Sequence, residues 1–355
     1  MGQKTFGSLL FVLAASLLSG EASAFFKKDR VKRDFRHMDA NRDDQISREE
    51  WKRRGNFEKL DQNGDGYLTI DEVRGIYQGH QNRDYDWPPE NMTPYSSKID
   101  PSIATDRVSR DELGADVICG LGRAKHCGTA EQIRRGLLET GTGPVFPKGV
   151  DCPGVDDYWA MNYSYKRNRD SFHGGIDIPV PWGEPMRVVA SGAVVNMYQA
   201  HQSKRGYEVI VRHSPEDTGL PMWTYSAYGH LDRLPDFKPG QRLAMGDIIG
   251  PTGNSGISAR GKKGSGAQSK SRRPAIHLAM FYSAHRQFGE ENDTILPKEG
   301  YWLDPYAFYR QKEPFLSAEV KALPEDEKAV MIPVLLEGGR TIPANTKIIW
   351  PYSCR

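Results

Sequence analysis

The stretch "SFHGGIDIP" (171–179) decides how the larger part of this chain is read. It sets His173 and Asp177 four residues apart, about 13 Å along a straight strand and too far for both side chains to touch one ion. A shared ion therefore requires the chain to bend between them. Gly174 and Gly175 make the bend cheap, because glycine takes conformations closed to other residues. Imidazole and carboxylate together suit zinc, yet alone the motif is weak, since a histidine and an aspartate beside a turn often form a hydrogen-bonded structural pair.

Short β-type runs separated by glycine and proline surround this motif: "RVVASGAVVNMY" (187–198), "YEVIVRH" (207–213), "MWTYSAYGHL" (222–231), "RLAMGDIIG" (242–250) and "AIHLAMFY" (275–282). Strands at this spacing predict an antiparallel β-sheet or barrel-like core. The polar chemistry clusters within it.

The pieces follow in the order "HGGIDI", "GEPMRVVASGAVV", "VIVRH", "YGHL", "KPGQRLAMGDIIGPTGNSG", "AIHLAMFY". This series resembles the lysostaphin-type (LytM-type) zinc endopeptidases, which cut peptide cross-links of bacterial cell walls; the resemblance covers roughly residues 170–283. It implies a compact antiparallel core with a groove over the metal. By position, His173 and Asp177 match the family's first two zinc ligands, and His230 in "YGHL" its catalytic histidine; His213 is read as structural. The family's last motif is His-x-His, of which "AIHLAMFY" keeps only His277. If Ala275 stands at the first position, His277 is the third zinc ligand and one catalytic histidine is lost. If His277 stands first, Ala279 replaces the ligand. Pro274 and the three protein ligands usual for catalytic zinc favour the former; the continuous hydrophobic run favours the latter.

An N-terminal repeat carries different chemistry. "DANRDDQISREE" (39–50) and "DQNGDGYLTIDE" (61–72) place oxygen-bearing side chains at loop positions 1, 3, 5 and 9 and glutamate at position 12, a spacing that wraps calcium in six to eight oxygens. Both loops resemble EF-hands. The second offers Asp61, Asn63, Asp65, Thr69, Glu72 and the Tyr67 carbonyl, with Gly66 at the sharp turn. The first offers Asp39, Asn41, Asp43, Ser47, Glu50 and the Gln45 carbonyl, but Asp44 replaces the glycine, at a cost, so weaker binding is expected. Only "WKRRGNFEKL" separates the loops, so the helices between them must be short. The entry helix is expected to carry Val31, Phe35 and Met38 at helical spacing.

The first residues show Lys4, an apolar run from Leu9 to Leu18 and Ala22-Ser23-Ala24, the pattern of a secretory signal peptide cut after Ala24. The run is shorter than the roughly 20 residues needed to span a bilayer, and no later segment could span one. Four cysteines, Cys119, Cys127, Cys152 and Cys354, suit disulfides in an exported chain. Three pairings are open; Cys119 with Cys127 is the local one.

The domain plan is a signal peptide (1–24), an EF-hand pair (25–77), a linker or wrapping segment with a short helix opened by Thr129 (78–150), the peptidase-like domain (151–310) and a C-terminal extension (311–355): an α+β multidomain chain. Charged residues at 26%, hydrophobic ones at 38% and a net charge of +2 argue against a global nucleic-acid or membrane field. "GISARGKK" (256–263) nearly spells a phosphate-binding loop, but Lys263 stands where a hydroxyl must meet magnesium; the run "RGKKGSGAQSKSRR" reads as a basic solvated loop. The expected function is that of an exported protein, periplasmic or extracellular, which binds Ca2+ and Zn2+ and hydrolyses peptide cross-links of peptidoglycan. The alternative is a degenerate, non-catalytic domain that binds cell wall or regulates another hydrolase.

Overall fold

The structure is a computed structural model that describes residues 35–52, 57–61, 65–74, 85–90, 92–124, 126–155, 162–164, 172–200, 203, 205–256 and 274–355. The expected signal peptide, Val31, Asn63 and all of the basic loop lie outside the described residues. The chain divides into two compact units, residues 1–77 and 78–355.

In the first unit the two acidic loops are joined back to back. Strand β1 (Ile46–Ser47) pairs antiparallel with β2 (Tyr67–Leu68), Ile46 opposite Leu68. These apolar residues occupy position 8 of their loops and are buried with Phe35, Met38, Phe57 and Ile70. Each loop thus secures the other through one short ladder and one shared core. The connecting helix is short, Phe57–Leu60.

In the second unit, β3 (Gly143–Val145) precedes β4 (Ile176–Pro179), β5 (Pro185–Arg187), β6 (Gly192–Tyr198), β7 (Tyr207–His213), β8 (Trp223–Leu231), β9 (Arg242–Leu243) and β10 (Ile248–Pro251). Then come β11 (Ala275–Ser283), β12 (Phe288–Glu290), β13 (Ile295–Pro297), β14 (Tyr301–Leu303) and β15 (Ala329–Met331). The main sheet runs β14-β11-β8-β7-β6-β9, with β4 also on β11, antiparallel throughout. Residues 275–281 of β11 are all buried, which explains why "AIHLAMF" shows no clean alternation: both faces of this strand are covered.

The sheet is open, and the barrel-like closure expected from sequence is not seen among the described residues. Its two edges are covered by the preceding chain instead of meeting one another. Arg242 N on β9 donates to Lys98 O, and Trp302 N on β14 donates to Arg135 O, satisfying groups that a bare edge would leave unpaired. The stretch 78–150 belongs to the same compact unit as the sheet. It is tied down by Tyr95 Oη, which donates to Ile248 O (2.6 Å), and by the buried pair Arg212–Asp106 (2.8 Å). Its helix, Thr129–Arg134, is entered from Gly128 with no side-chain cap, so Thr129 is the first helical residue and not the cap that the sequence suggested. Disulfides join Cys119 to Cys127 and Cys152 to Cys354. The C-terminal stretch returns over the core: β15 pairs in parallel with β3, and buried Trp350 meets Tyr306 with near-parallel rings 6.2 Å apart.

His213 closes β7 as a wholly buried cross-link. Its Nδ1 lies 2.8 Å from Ser191 O and its Nε2 2.7 Å from Ser226 Oγ, so the imidazole ties the turn before β6 to β8 and takes no part in the grouping of His173, His230 and His277. Burial pushes it down to about 4, with the Ser191 carbonyl opposing. Between pH 6.5 and 4 the unfolded chain therefore binds a proton that the folded chain refuses. The stability held at neutral pH falls through this window as pH drops, by at most about 1.4 kcal/mol per pH unit. Denaturant melts at pH 7 and pH 5 should show this loss in the parent, whereas His213→Gln should be less stable at pH 7 and flatter between the two; an unchanged slope in the variant would remove His213 as its source.

Candidate metal centre

Two local devices bring His173, Asp177 and His277 together. The first is register: Asp177 on β4 is directly opposite His277 on β11. Directly paired residues project to one face of a sheet, and Asp177 Oδ1 stands 2.9 Å from His277 Nδ1. The second is the turn before β4, where Gly174 takes φ +80°. This turn folds His173 back, so that its Nε2 lies 3.3 Å from Asp177 Oδ1 and 3.1 Å from His277 Nδ1. Gly175 allows the close approach: a Cβ there would fall 2.6 Å from His277 Nε2.

The three donor atoms form a triangle with edges of 2.9–3.3 Å. Tetrahedral zinc with bonds of about 2.0–2.1 Å sets its ligands about 3.3–3.4 Å apart, so the triangle fits one face of such a site with slight contraction. Asp177 and His277 are buried. His173 Nδ1 lies 3.2 Å from Asn162 O; a carbonyl can only accept, so Nδ1 carries the proton and the Nε2 lone pair points into the triangle. Burial drives His277 down to about 3, with Asp177 opposing, and the neutral ring is the form that ligates metal.

His230 reaches the same place by breaking the strand rule. Gly229 is the residue opposite His277, so simple alternation would send the next side chain to the other face. Instead the β7–β8 register slips between Tyr207 and Val209, and His230 takes φ +65°, uncommon outside glycine. A bulge of this kind re-aims a side chain; the His230 ring centroid lies 5.8 Å from that of His277. Its Nδ1 stands 2.6 Å from Ser255 O, which places the proton on Nδ1 and leaves Nε2 as the basic nitrogen. Ala275 lies two residues before His277 on the same face of β11, and Ala279 two after; neither adds a donor.

Sequence reasoning missed the residues that orient these rings. Asn162 and Ser255 act through main-chain carbonyls, which carry no side-chain signature. Arg123 could not be linked to "HGGIDI" by spacing; its Nη1 donates to His173 O (3.1 Å) and its Nη2 to Phe172 O. A cavity of about 480 Å³ abuts this turn, lined by Ile133, Leu138, Glu139, Asn162, Phe172 and Lys321 among others.

Residues 171–284 match the model of peptidase family M23. They are a peptidase family M23 domain. Residues 33–53 and 57–76 match the EF-hand model. Similar solved structures include LytU, at 22% identity over 45% of this chain and 88% of that one, with TM-score 0.30. A catalytic-domain mutant of the prophage-encoded M23 protein EnpA from Enterococcus faecalis is 22% identical over 43% and 96% of the two chains, TM-score 0.27. The catalytic domain of the antimicrobial peptidase lysostaphin from Staphylococcus simulans is 19% identical over 47% and 92%, TM-score 0.25. In this chain the M23 domain begins at the turn that carries His173 and ends just beyond β11. No helix among the described residues is long and apolar enough to cross a membrane.

The acidic loops show the turns that such a match requires. Asp61 accepts from Asp65 N (3.1 Å) and Gly66 N (2.9 Å), and Glu72 Oε2 from Thr69 N (2.8 Å) and Thr69 Oγ1 (2.9 Å). In the first loop Asp39 accepts from Asp43 N and Asp44 N, and Glu50 Oε2 from Ser47 N and Ser47 Oγ. Asn41 and Asp43 each accept from the backbone two residues on, the latter from Gln45 N; Asp65 does the same for Tyr67 N. Gly66 takes φ +83° and Asp44 φ +63°, so the first loop makes the same turn with a residue less suited to it. Burial, with Asp65 and Asp61 repelling, pushes Glu72 up to about 7.

The metal triangle depends on the bare face of Gly175. Gly175→Ala should displace the His277 ring and leave less than about half the parent's zinc on the purified protein, because a catalytic site held by three ligands is left with two. Gly143→Ala, where a Cβ meets nothing within 4 Å, should bind as the parent does. Equal zinc content in both variants would show that the triangle is not the binding site.

Proposed function

We propose that this chain is an exported zinc metalloendopeptidase that hydrolyses peptide cross-links of peptidoglycan, with calcium held by its N-terminal loops. The observation that carries the reading is the donor triangle of His173, Asp177 and His277 inside a domain that matches a peptidase family. Its geometry favours the alignment in which His277 is the third ligand and Ala275 stands in place of the family's other histidine. Bound there, zinc would polarise a scissile carbonyl and lower the pKa of water. The chain's own residues do the rest. Asp177 and the two histidines, with Asn162 holding His173, would present three donor atoms to one ion. His230, fixed at Nδ1 by Ser255, offers Nε2 to take a proton from the attacking water and return it to the leaving amine. With Ala275 contributing only a methyl group, His230 handles protons alone, so turnover is expected to be slower than in a domain with both histidines.

Purified protein should carry about one zinc per chain and release free amines from purified peptidoglycan. His230→Ala should keep the zinc and lower the rate by about 10²–10⁴-fold, the range of a general acid–base group. Zinc without amine release, together with retention on wall material that His230→Ala leaves unaltered, would support the non-catalytic wall-binding alternative. Absence of both zinc and cleavage would sink the peptidase reading.

The candidate calcium ligands are Asp39, Asn41, Asp43, Gln45 and Glu50 in the first loop and Asp61, Asn63, Asp65, Tyr67 and Glu72 in the second. An exported chain meets abundant calcium, and extracellular modules bind at roughly 10⁻⁴–10⁻³ M. Calcium then acts as a constitutive staple, since an ion that binds only the folded loops stabilises them by mass action. Asp61→Ala combined with Glu72→Ala should lower the melting temperature of residues 25–77 in millimolar calcium and leave zinc content unchanged. Identical melting of parent and variant across a calcium titration would exclude the staple.

A further inference from the structure

We propose that Arg123 is a positioning residue of the metal centre: carried on the disulfide-closed loop 119–127, its guanidinium clamps the Phe172–Gly174 turn and so aims His173. The proposal rests on the zinc reading above for its consequence, and on the fold for its geometry. Sequence alone assigns residues 108–150 no role, and this segment lies outside the M23 match.

The turn is gripped from several sides. Arg123 Nη1 donates to His173 O at 3.1 Å and Nη2 to Phe172 O. These two carbonyls flank the bond whose orientation decides where the imidazole leaves the backbone. Trp302 closes on the turn beside Arg123, for a Cβ on Gly174 would lie 2.8 Å from its ring and 3.2 Å from Arg123 Nη1. The same indole donates from Nε1 to Gly120 O (3.0 Å), beside Cys119. Gly174 N donates to Tyr163 O (2.9 Å), and Tyr163 Oη to Gly136 O (2.9 Å). The helix Ala115–Gly120, the disulfide and Arg123 thus form one bracket against the turn.

The surroundings of Arg123 argue for a task beyond packing. Among the described residues no carboxylate pairs with it; its fork is spent on the two carbonyls. Burying a guanidinium without a counter-charge is costly, and placing one close to a dication site is repulsive. Its planar fork, however, spans two adjacent carbonyls as an ammonium cannot. Arg123 itself takes φ +53°, the left-handed region, and Cys119–Cys127 closes the loop that carries it. The segment outside the peptidase domain therefore supplies an orienting contact to the first residue of the metal site.

Electrostatics and positioning predict opposite signs. Removing a cation beside a dication should tighten zinc if Arg123 acts only through its charge. Removing a clamp should weaken it, by about 10- to 100-fold for a group that orients a ligand. The experiment uses the full chain and its Arg123→Met and Arg123→Lys variants, with zinc affinity measured by chelator competition and amide hydrogen exchange followed over 172–178 in zinc-free protein. The expected result is weaker zinc and faster exchange for Arg123→Met, with Arg123→Lys between it and the parent. Zinc held by Arg123→Met as tightly as by the parent, or more tightly, overturns the proposal. If the parent takes up no zinc, the peptidase reading fails instead, and exchange alone decides: equal protection over 172–178 in all three proteins overturns the clamp. Should Arg123→Met fail to fold, Arg123→Lys is compared with the parent on both measurements under the same criteria.

Discussion

The pairing of Asp177 with His277 across β4 and β11 is the constraint on which the rest of the candidate metal centre depends. Because the two residues are directly opposed in an antiparallel ladder, the main chain fixes their side-chain bases on one face. Few rotatable bonds remain between a rigid sheet and a donor contact of 2.9 Å. Every other element then works to bring something to this pair: a glycine turn brings His173, a bulged strand brings His230, and the preceding chain holds the turn. A slip of one residue in the β4–β11 register would send Asp177 to the opposite face. The packing of β4 resists that slip, since it would also carry Ile176 and Ile178, both wholly buried, out of the places they fill.

The parts of this arrangement differ in how far a linear sequence can announce them. Bending between His173 and Asp177 was legible, because two consecutive glycines between a pair of donors are there to let the chain turn. The strands were legible from their β-branched runs, and the acidic loops from their fixed spacing. His277 was ambiguous for a physical reason: residues 275, 277 and 279 share a face, so periodicity places all three equally well. The convergence of His173 and Asp177 on His277 comes from pairing with β4, a contact between residues 100 apart that no local pattern contains. His230 was picked out by resemblance alone, and alternation would have pointed it away. The left-handed backbone at a histidine has no residue code of its own.

Closure of the sheet failed as an expectation for a related reason. Strand-like spacing is the same for an open sheet and a barrel; what differs is what meets the two edges. Here Lys98 and Arg135 offer their carbonyls to those edges, and both belong to the stretch 78–150, which sequence could describe only as linker or wrapping with a short helix. A segment with few apolar residues can still be structural when its main chain supplies the contacts. Thr129 makes the complementary point: a good capping residue stands at a helix start, yet the chain enters through Gly128 and no cap forms.

The same division explains how a partly depleted motif can still sit in an ordered site. The residues that hold the donor triangle are spread over the turn, β4, β11 and the loop bearing Arg123, and none of them is the residue replaced by Ala275. The proposed ligand geometry and the proposed proton handling would therefore be separable in this fold. The first is set by strand register and by main-chain carbonyls at Asn162, Phe172 and His173; the second by the single ring of His230 and its tether to Ser255. On the proposed reading, alanine in place of a histidine at position 275 takes a group from the second without relaxing the first. What the chain holds is the convergence of an aspartate and two histidines, with Asp177 and His277 buried. That convergence has little structural merit by itself: a buried carboxylate against two imidazoles costs desolvation, and His277 Nε2 is buried with no hydrogen-bond partner among the described residues.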